Sequence, residues 1–178
     1  MNFIWDNLFR DAGERKGLRE SLRQNILFQD LNPLELRLLQ RIVNVRSYRA
    51  GEPIFKQGEA GVGMYIILSG SVDIITQEIE ATTGKSHFNP VTLLKAKDFF
   101  GELALVEREG LRSATAIAHE NAVLIGFFKP DLIEIIDRNP TAGVKILMRL
   151  AEVLGTRLHQ TTAKISELKK EKFSEIES

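Results

Sequence analysis

The chain of 178 residues contains no cysteine. This absence excludes disulfides, thiolate metal ligands and a cysteine nucleophile, and nothing points to an oxidising compartment. The 24 basic side chains are matched by 24 acidic ones, so no overall field attracts the chain to nucleic acid or to an anionic membrane. Any recognition of a charged partner must therefore be local.

Long apolar runs are also missing. No window approaches the roughly 20 apolar residues that a membrane-spanning helix needs. The first residues, MNFIWDNLFRDAGERK, lack the basic flank and the unbroken apolar stretch of a secretory signal. We therefore expect a cytoplasmic protein that has no membrane partner.

Clustered metal ligands are the third absence. The three histidines, His87, His119 and His159, are far apart and show no paired spacing. Metal-dependent enzymes built on small β-barrels need grouped histidines and carboxylates, and haem proteins need axial ligands. The sequence favours a protein with no metal, no cofactor and no catalytic residues.

What the chain does contain is a change of apolar periodicity along its length, which divides it into three segments. Residues 1–44 are helical in pattern, with Asn32 as the cap of a helix that begins at Pro33. Residues 45–128 consist of short apolar strands separated by glycines, a pattern typical of an antiparallel barrel or sandwich. Residues 129–178 are helical again.

Finer features are predicted within these segments. A first short helix is expected at residues 3–9. The continuous apolar run from Met64 to Leu68 predicts a central strand, whereas the polar stretch from Gln77 to Pro90 predicts an exposed hairpin with its turn at residues 82–84.

The last helix carries an apolar seam. The helix follows a break at Asn139-Pro140. Along it, mostly apolar residues recur at alternating steps of four and three, which is the heptad pattern of a two-helix coiled coil. A stripe that merely covers the barrel is the alternative, but the seam continues past the length that a small barrel could cover. We predict a homodimer through this helix, and fraying of the charged tail after Lys169. The seam residues are Leu147, Ala151, Leu154, Leu158, Thr161, Ile165 and Leu168.

The segment FGELALVEREGLRSATA, residues 100–116, carries the chemistry. Gly101 permits close approach of the backbone to a ligand, and the helical turn after it directs free amides at an anion. Glu102 can accept hydrogen bonds from a sugar hydroxyl. Arg112 can bind two phosphate oxygens at once, and Ser113 adds a hydroxyl and an amide. These residues alone leave a second interpretation open, a surface salt bridge between Arg112 and a glutamate of the same loop.

This segment resembles the phosphate-binding cassette of cyclic-nucleotide-binding domains, including those of the bacterial catabolite activator family and of protein kinase A regulatory subunits. The runs YRAGEPIFKQGE (48–59) and MYIILSGSV (64–72) are similar to the early strands of that family. The resemblance covers roughly Leu27 to Leu168. It implies an α+β fold: an antiparallel β-barrel or jelly roll, also called a double-stranded β-helix, with N-terminal helices and a long C-terminal helix.

The resemblance also implies a ligand and the residues that bind it. The ligand would be a cyclic nucleotide, cAMP in the first place, and its binding would be read out through the C-terminal helix. The ribose would be bound by Gly101 and Glu102, the phosphate by Arg112, Ser113, Leu103 and Ala104, and the base by Thr161, Thr162, Val91 and Thr92.

Two departures from the family pattern stand out. Leu111 occupies the position where the family frequently has proline, and the chain stops at Ser178, where bacterial activators continue into a helix-turn-helix. The lysines at 169, 170 and 172 are too few and too mixed with glutamate to form a DNA footprint. We therefore expect an unknown effector protein as the partner and no direct DNA binding. The remaining alternatives are a module that binds cGMP or a cyclic dinucleotide, or one that binds no ligand.

Overall fold

The computed structural model describes residues 17–80 and 86–176. The short helix predicted at residues 3–9 and the hairpin turn predicted at residues 82–84 lie outside the described residues. Within them, two antiparallel sheets are flanked by helices on the N-terminal side and by a long helix at the end of the chain. The fold class expected from the sequence is confirmed.

The helices begin and end close to the predicted positions. Asn32 caps the second helix, because its side chain accepts hydrogen bonds from the amides of Leu34 and Glu35 while the Glu35 carboxylate accepts the amide of Asn32 at 2.7 Å. The helix thus begins at Pro33 as predicted. The helices are α1 (residues 17–24), α2 (Pro33–Ile42), α3 (Leu103–Val106), α4 (Lys129–Arg138) and α5 (Pro140–Ile176).

In the described part of the chain, eight strands form two four-stranded sheets. One sheet has the order β1-β8-β3-β6 and the other the order β2-β7-β4-β5, with antiparallel pairing throughout. β3 lies between two neighbours, so the prediction of a central strand at Met64 to Leu68 is confirmed. The strands are β1 (Asn44–Tyr48), β2 (Pro53–Phe55), β3 (Gly63–Ser69), β4 (Ser71–Ile79), β5 (Ser86–Lys95), β6 (Phe99–Phe100), β7 (Thr115–Ala118) and β8 (Ala122–Phe128).

Two apolar clusters fill the molecule. The first lies between the sheets and includes Ile67, Val72 and Leu124. The second packs the helices against the outer face of the first sheet, and α5 contributes to it as far as Val153. From Thr156 to Lys170 every residue of α5 is exposed. The long helix is therefore anchored to the domain over its first half only.

Ion pairs add to this anchorage. Lys145 of α5 donates to the buried carboxylate of Glu35 at 2.8 Å, and Arg149 donates to both carboxylate oxygens of Asp30. The hydrogen bond from Arg149 lowers the pKa of Asp30. Together these pairs connect the first three turns of α5 to the segment around the start of α2.

Two predictions for α5 are changed by the structure. Fraying after Lys169 is wrong, because the helix continues to Ile176 through a stretch rich in lysine and glutamate, which are good helix formers. In the predicted seam, Leu147 and Leu154 pack against the chain's own core. These two side chains are therefore not available in full to a partner.

Removing the Glu35 carboxylate should destabilise the fold. Glu35→Ala leaves Lys145 without its buried partner and deletes the capping box, so we expect a loss of about 2–4 kcal/mol in the free energy of unfolding by urea. The matched control is Glu134→Ala, which breaks an exposed pair with Arg138 and should cost less than about 0.5 kcal/mol. Equal losses for the two variants would contradict the role given to the Glu35–Lys145 pair.

Candidate functional site

Gly101 connects β6 to α3 and has a backbone geometry that side-chain-bearing residues rarely adopt, with φ at +76°. A Cβ atom at this position would lie 2.6 Å from Nη1 of Arg112 and 3.3 Å from the carbonyl oxygen of Gly63. Glycine is therefore required here for two reasons, the positive φ and the close approach of the arginine.

The backbone of Arg112 is fixed by hydrogen bonds through both its amide and its carbonyl. Its amide donates to the carbonyl of Glu59 at 2.8 Å, and its own carbonyl accepts the amide of Gly58 at 2.8 Å. These bonds attach the arginine to the loop between β2 and β3 and direct its side chain into the domain, where only 7% of the residue is exposed. Burial lowers the pKa of the guanidinium, although an arginine remains charged at neutral pH.

The guanidinium has hydrogen-bond partners but no counter-ion among the described residues. Nη2 donates to the carbonyl of Gly63 at 2.7 Å and Nη1 to the carbonyl of Gly101 at 3.3 Å, while Nε is buried without a hydrogen-bond partner. No described carboxylate lies within ion-pair distance of Arg112, so the surface salt bridge that the sequence left open does not form in residues 17–80 and 86–176.

A pocket of about 340 Å³ lies in front of Arg112. Its volume falls in the range of roughly 300–1,000 Å³ that is usual for small-molecule sites. The pocket is lined by both apolar and polar groups, as such sites generally are. The residues of the sequence prediction that line it are Thr92, Gly101, Glu102, Leu103, Ala104, Arg112 and Ser113.

A domain family with this geometry matches the chain. The model described as "Cyclic nucleotide-binding domain" covers residues 45–139. The chain belongs to this family. The cyclic AMP receptor protein of Thermus thermophilus is 33% identical over 134 residues, which are 75% of this chain and 57% of that protein. The cGMP-dependent protein kinase egl-4 of Caenorhabditis elegans is 32% identical over 123 residues, 66% of this chain and 15% of the kinase.

A solved structure gives the same result for the fold. The crystal structure of Thermus thermophilus catabolite activator protein matches with a TM-score of 0.68 and 32% identity, over 81% of this chain and 63% of that chain. This cyclic nucleotide-binding domain therefore spans less than two thirds of the length of each of these relatives.

The buried carboxylate of Glu102 is held by a side chain that the sequence did not predict to lie there. Glu102 is 5% exposed, and Arg157 of α5 donates to it through Nη1. Nη2 of Arg157 donates to the carbonyl of Phe99 at 3.3 Å, and its guanidinium lies 4.8 Å from the centroid of the Phe99 ring. Since Arg157 also lines the pocket, the long helix takes part in the site.

Sequence reasoning missed Arg157 because an arginine on a helix surface is usually solvated. Its position on α5, one turn before Thr161, could have indicated a role in the site, because Thr161 is predicted to face the ligand. Position alone could not show that its side chain reaches back to the end of β6 rather than into water.

Three of the predicted base-contact residues are not brought to the pocket. The hydroxyls of Thr161 and Thr162 donate at 2.9 Å to carbonyls one turn earlier on their own helix, and both residues are exposed. Val91 on β5 is 57% exposed and does not line the pocket. Thr92 is the base-contact candidate that does line it. Contact of the base with any of the four stays a prediction.

The described residues contain neither a candidate metal site nor a candidate membrane span. Within residues 17–80 and 86–176, no group of three or more histidine or acidic side chains is placed to hold a metal ion. None of the helices described there combines the length and the apolar character needed to cross a bilayer.

A methyl group at position 101 should disturb the pocket through Arg112. Gly58 has a similar φ of +83° but open space around its Cβ position, so Gly58→Ala should destabilise by about 1–2 kcal/mol through backbone strain alone. Gly101→Ala combines the same strain with the collision, which adds about 1–3 kcal/mol. Urea unfolding of the two variants measures the difference, and equal destabilisation would show that Arg112 does not approach the backbone so closely.

Proposed function

We propose that this domain is a sensor that binds a cyclic nucleotide, cAMP in the first place, through the cyclic phosphate and Arg112. The observation that carries the proposal is the buried guanidinium with a free Nε and no carboxylate partner among the described residues. A buried charge without a counter-ion is unfavourable, and a phosphate supplies two oxygens in the geometry of the guanidinium fork.

The other phosphate contacts would come from the cassette itself. Ser113 lines the pocket beside Arg112 and offers a hydroxyl and an amide. The amide of Ala104 donates to the carbonyl of Gly101 at 3.2 Å, a long bond that an anion could share, and the amide of Leu103 lies at the start of α3. These groups surround one end of the pocket, which supports a single phosphate there.

The ribose would contact Glu102 and so connect the ligand to α5. The Glu102 carboxylate accepts a hydrogen bond from Arg157. A ribose hydroxyl that donates to the same carboxylate would change the strength or direction of that bond. Because the residues from Thr156 to Lys170 are exposed, a change at Arg157 would shift the population of positions of the second half of α5. An effector protein would detect this change, and no catalytic step is involved.

The identity of the nucleotide depends on its base, for which the pocket offers fewer candidate contacts than for the phosphate and the ribose. The relatives reported above are named for cAMP and for cGMP, and both ligands carry the phosphate and ribose that Arg112 and Glu102 would bind. Calorimetric titration with cAMP, cGMP and a cyclic dinucleotide decides among them, and failure of all three would favour a module that binds no cyclic nucleotide. A cytoplasmic location and the absence of direct DNA binding stay predictions from the sequence.

Replacing Arg112 should separate binding from stability. Arg112→Leu removes the phosphate partner, so we expect cAMP affinity to fall more than about 100-fold, or roughly 3 kcal/mol. The free energy of unfolding should change by less than about 1 kcal/mol, because an unpaired buried charge is lost as well. Arg108→Leu is the control, since Arg108 is exposed on the same loop and does not line the pocket. Unchanged affinity of Arg112→Leu would refute the phosphate assignment.

The same sensor is proposed to be a homodimer through α5. Ile146, Leu150 and Val153 of this helix face the core, while Val144 and Met148 are exposed by 58% and 59% on another face. A helix that is apolar on two faces is normally buried on both. The outward stripe continues with steps of four and three beyond the barrel and consists of Val144, Met148, Ala151, Gly155, Leu158, Thr162 and Ile165.

A second copy of this chain is the occupant that the stripe favours. Alternating steps of four and three form the self-complementary seam of a coiled coil, and two identical helices satisfy each other's stripe without any other partner. The stripe shares Ala151, Leu158 and Ile165 with the seam predicted from the sequence. It is rotated away from Leu147 and Leu154, which the core already occupies.

Charge introduced on this stripe should produce monomers. Leu158→Glu together with Ile165→Glu places like charges opposite each other in the seam, and sedimentation velocity at micromolar concentration should show the mass of one chain. The matched control, Gln160→Glu together with Ala163→Glu, puts the same charges on the opposite face of the same turns and should remain dimeric. A monomeric wild type, or a dimer that survives the first pair of substitutions, would remove α5 as the interface.

A further inference from the structure

The aromatic ring of Phe55 lies directly against the guanidinium of Arg112. Cζ of Arg112 is 4.0 Å from the centroid of this ring, compared with 6.0 Å from the centroid of the Tyr65 ring. Phe55 is the last residue of β2 and lines the same pocket as Arg112. A planar, weakly hydrated guanidinium is well suited to stack on an aromatic face.

This contact matters because no described carboxylate pairs directly with Arg112, and Glu59 and Glu102 act on its charge only from a longer distance. Two of its five N–H donors are bonded, each to a backbone carbonyl, and Nε is unpaired. With no carboxylate within ion-pair distance in the described part of the chain, the negative π face of Phe55 is in direct contact with the cation. The burial of Arg112 reduces the screening of its charge by water, which strengthens the contact.

The Phe55 ring is itself held in place. Its centroid lies 5.9 Å from that of Tyr65 and 5.7 Å from that of Phe100, and these two rings stack on each other at 5.6 Å with an angle of 22°. Tyr65 and Phe100 belong to the neighbouring strands β3 and β6. Packing of this kind fixes the plane of the third ring. The arginine therefore rests on a rigid surface.

We propose that Phe55 is a positioning residue for the anion, which holds the Arg112 guanidinium in the pocket before any ligand arrives. Without such support, a long side chain would have to be ordered at the moment of binding, which lowers affinity. The inference rests on the proposed function of Arg112 as the phosphate partner. It assigns Phe55 a role that differs from filling the core, which a leucine could do equally well.

The first test needs no ligand. In the free domain, the Nε–H resonance of Arg112 should be shifted upfield by the ring current of Phe55 and should have the relaxation of a rigid group. Arg112→Lys identifies the resonance by its loss. Phe55→Leu should move the resonance to its ordinary position and make it mobile, whereas Phe55→Tyr, which keeps a ring, should retain both the shift and the rigidity.

The second test measures cAMP binding by calorimetry. Phe55→Leu should weaken affinity about tenfold, which corresponds to about 1.4 kcal/mol, and Phe55→Tyr should remain within about threefold of the wild type. In an Arg112→Gln background, followed by NMR titration because binding is weak, Phe55→Leu should have almost no further effect. This last comparison separates action through Arg112 from a general effect on the fold.

The inference is overturned if Phe55→Leu leaves the Arg112 resonance unchanged, or if it weakens binding equally with and without Arg112. Failure of the wild type to bind any cyclic nucleotide is a different result. It would refute the proposed function and, with it, the role of Phe55 toward an anion, while the resonance of the free protein would still report whether the two side chains are in contact.

Discussion

The structure depends on one unfavourable feature, a positive charge that is buried with no counter-ion in the part of the chain that the structure describes. Arg112 is directed inward by backbone bonds on both sides, and several neighbours make room for it or compensate it. Gly101 leaves space that any Cβ would fill, the carbonyls of Gly63 and Gly101 accept two of its donors, and the Phe55 ring lies on its face. Such an arrangement is costly for stability alone and becomes favourable when an anion enters the pocket.

In the proposed function, a second interaction would carry the consequence of binding away from the pocket. The ion pair between Glu102 and Arg157 connects the proposed ribose site to α5 at the point where that helix leaves the core. The first half of α5 is anchored by apolar packing and by its ion pairs with Glu35 and Asp30, whereas the residues from Thr156 to Lys170 are exposed. In the proposed function, a ligand that alters this one bond would shift the position of α5, and a dimer through α5 would transmit the shift to a second copy.

Much of this could be predicted from the sequence, because the relevant signals are local. The cap at Asn32, the break at Asn139-Pro140 and the central strand at Met64 to Leu68 follow from the chemistry of short segments, and the glycine, glutamate and arginine of the cassette lie within a dozen residues of each other. What the sequence did not show depends on tertiary packing. The reach of Arg157 to Glu102, the stacking of Phe55 on Arg112 and the rotation of the α5 stripe away from Leu154 join residues that are far apart in the chain.

The central claim is that the unpaired guanidinium of Arg112 is the partner of the cyclic phosphate. A crystal structure of the domain with cAMP tests it most directly. The account predicts two phosphate oxygens at about 3 Å from guanidinium nitrogens of Arg112, one of them bonded to Nε. A nucleotide bound elsewhere, or an Arg112 that pairs with a carboxylate while the phosphate faces solvent, would contradict it.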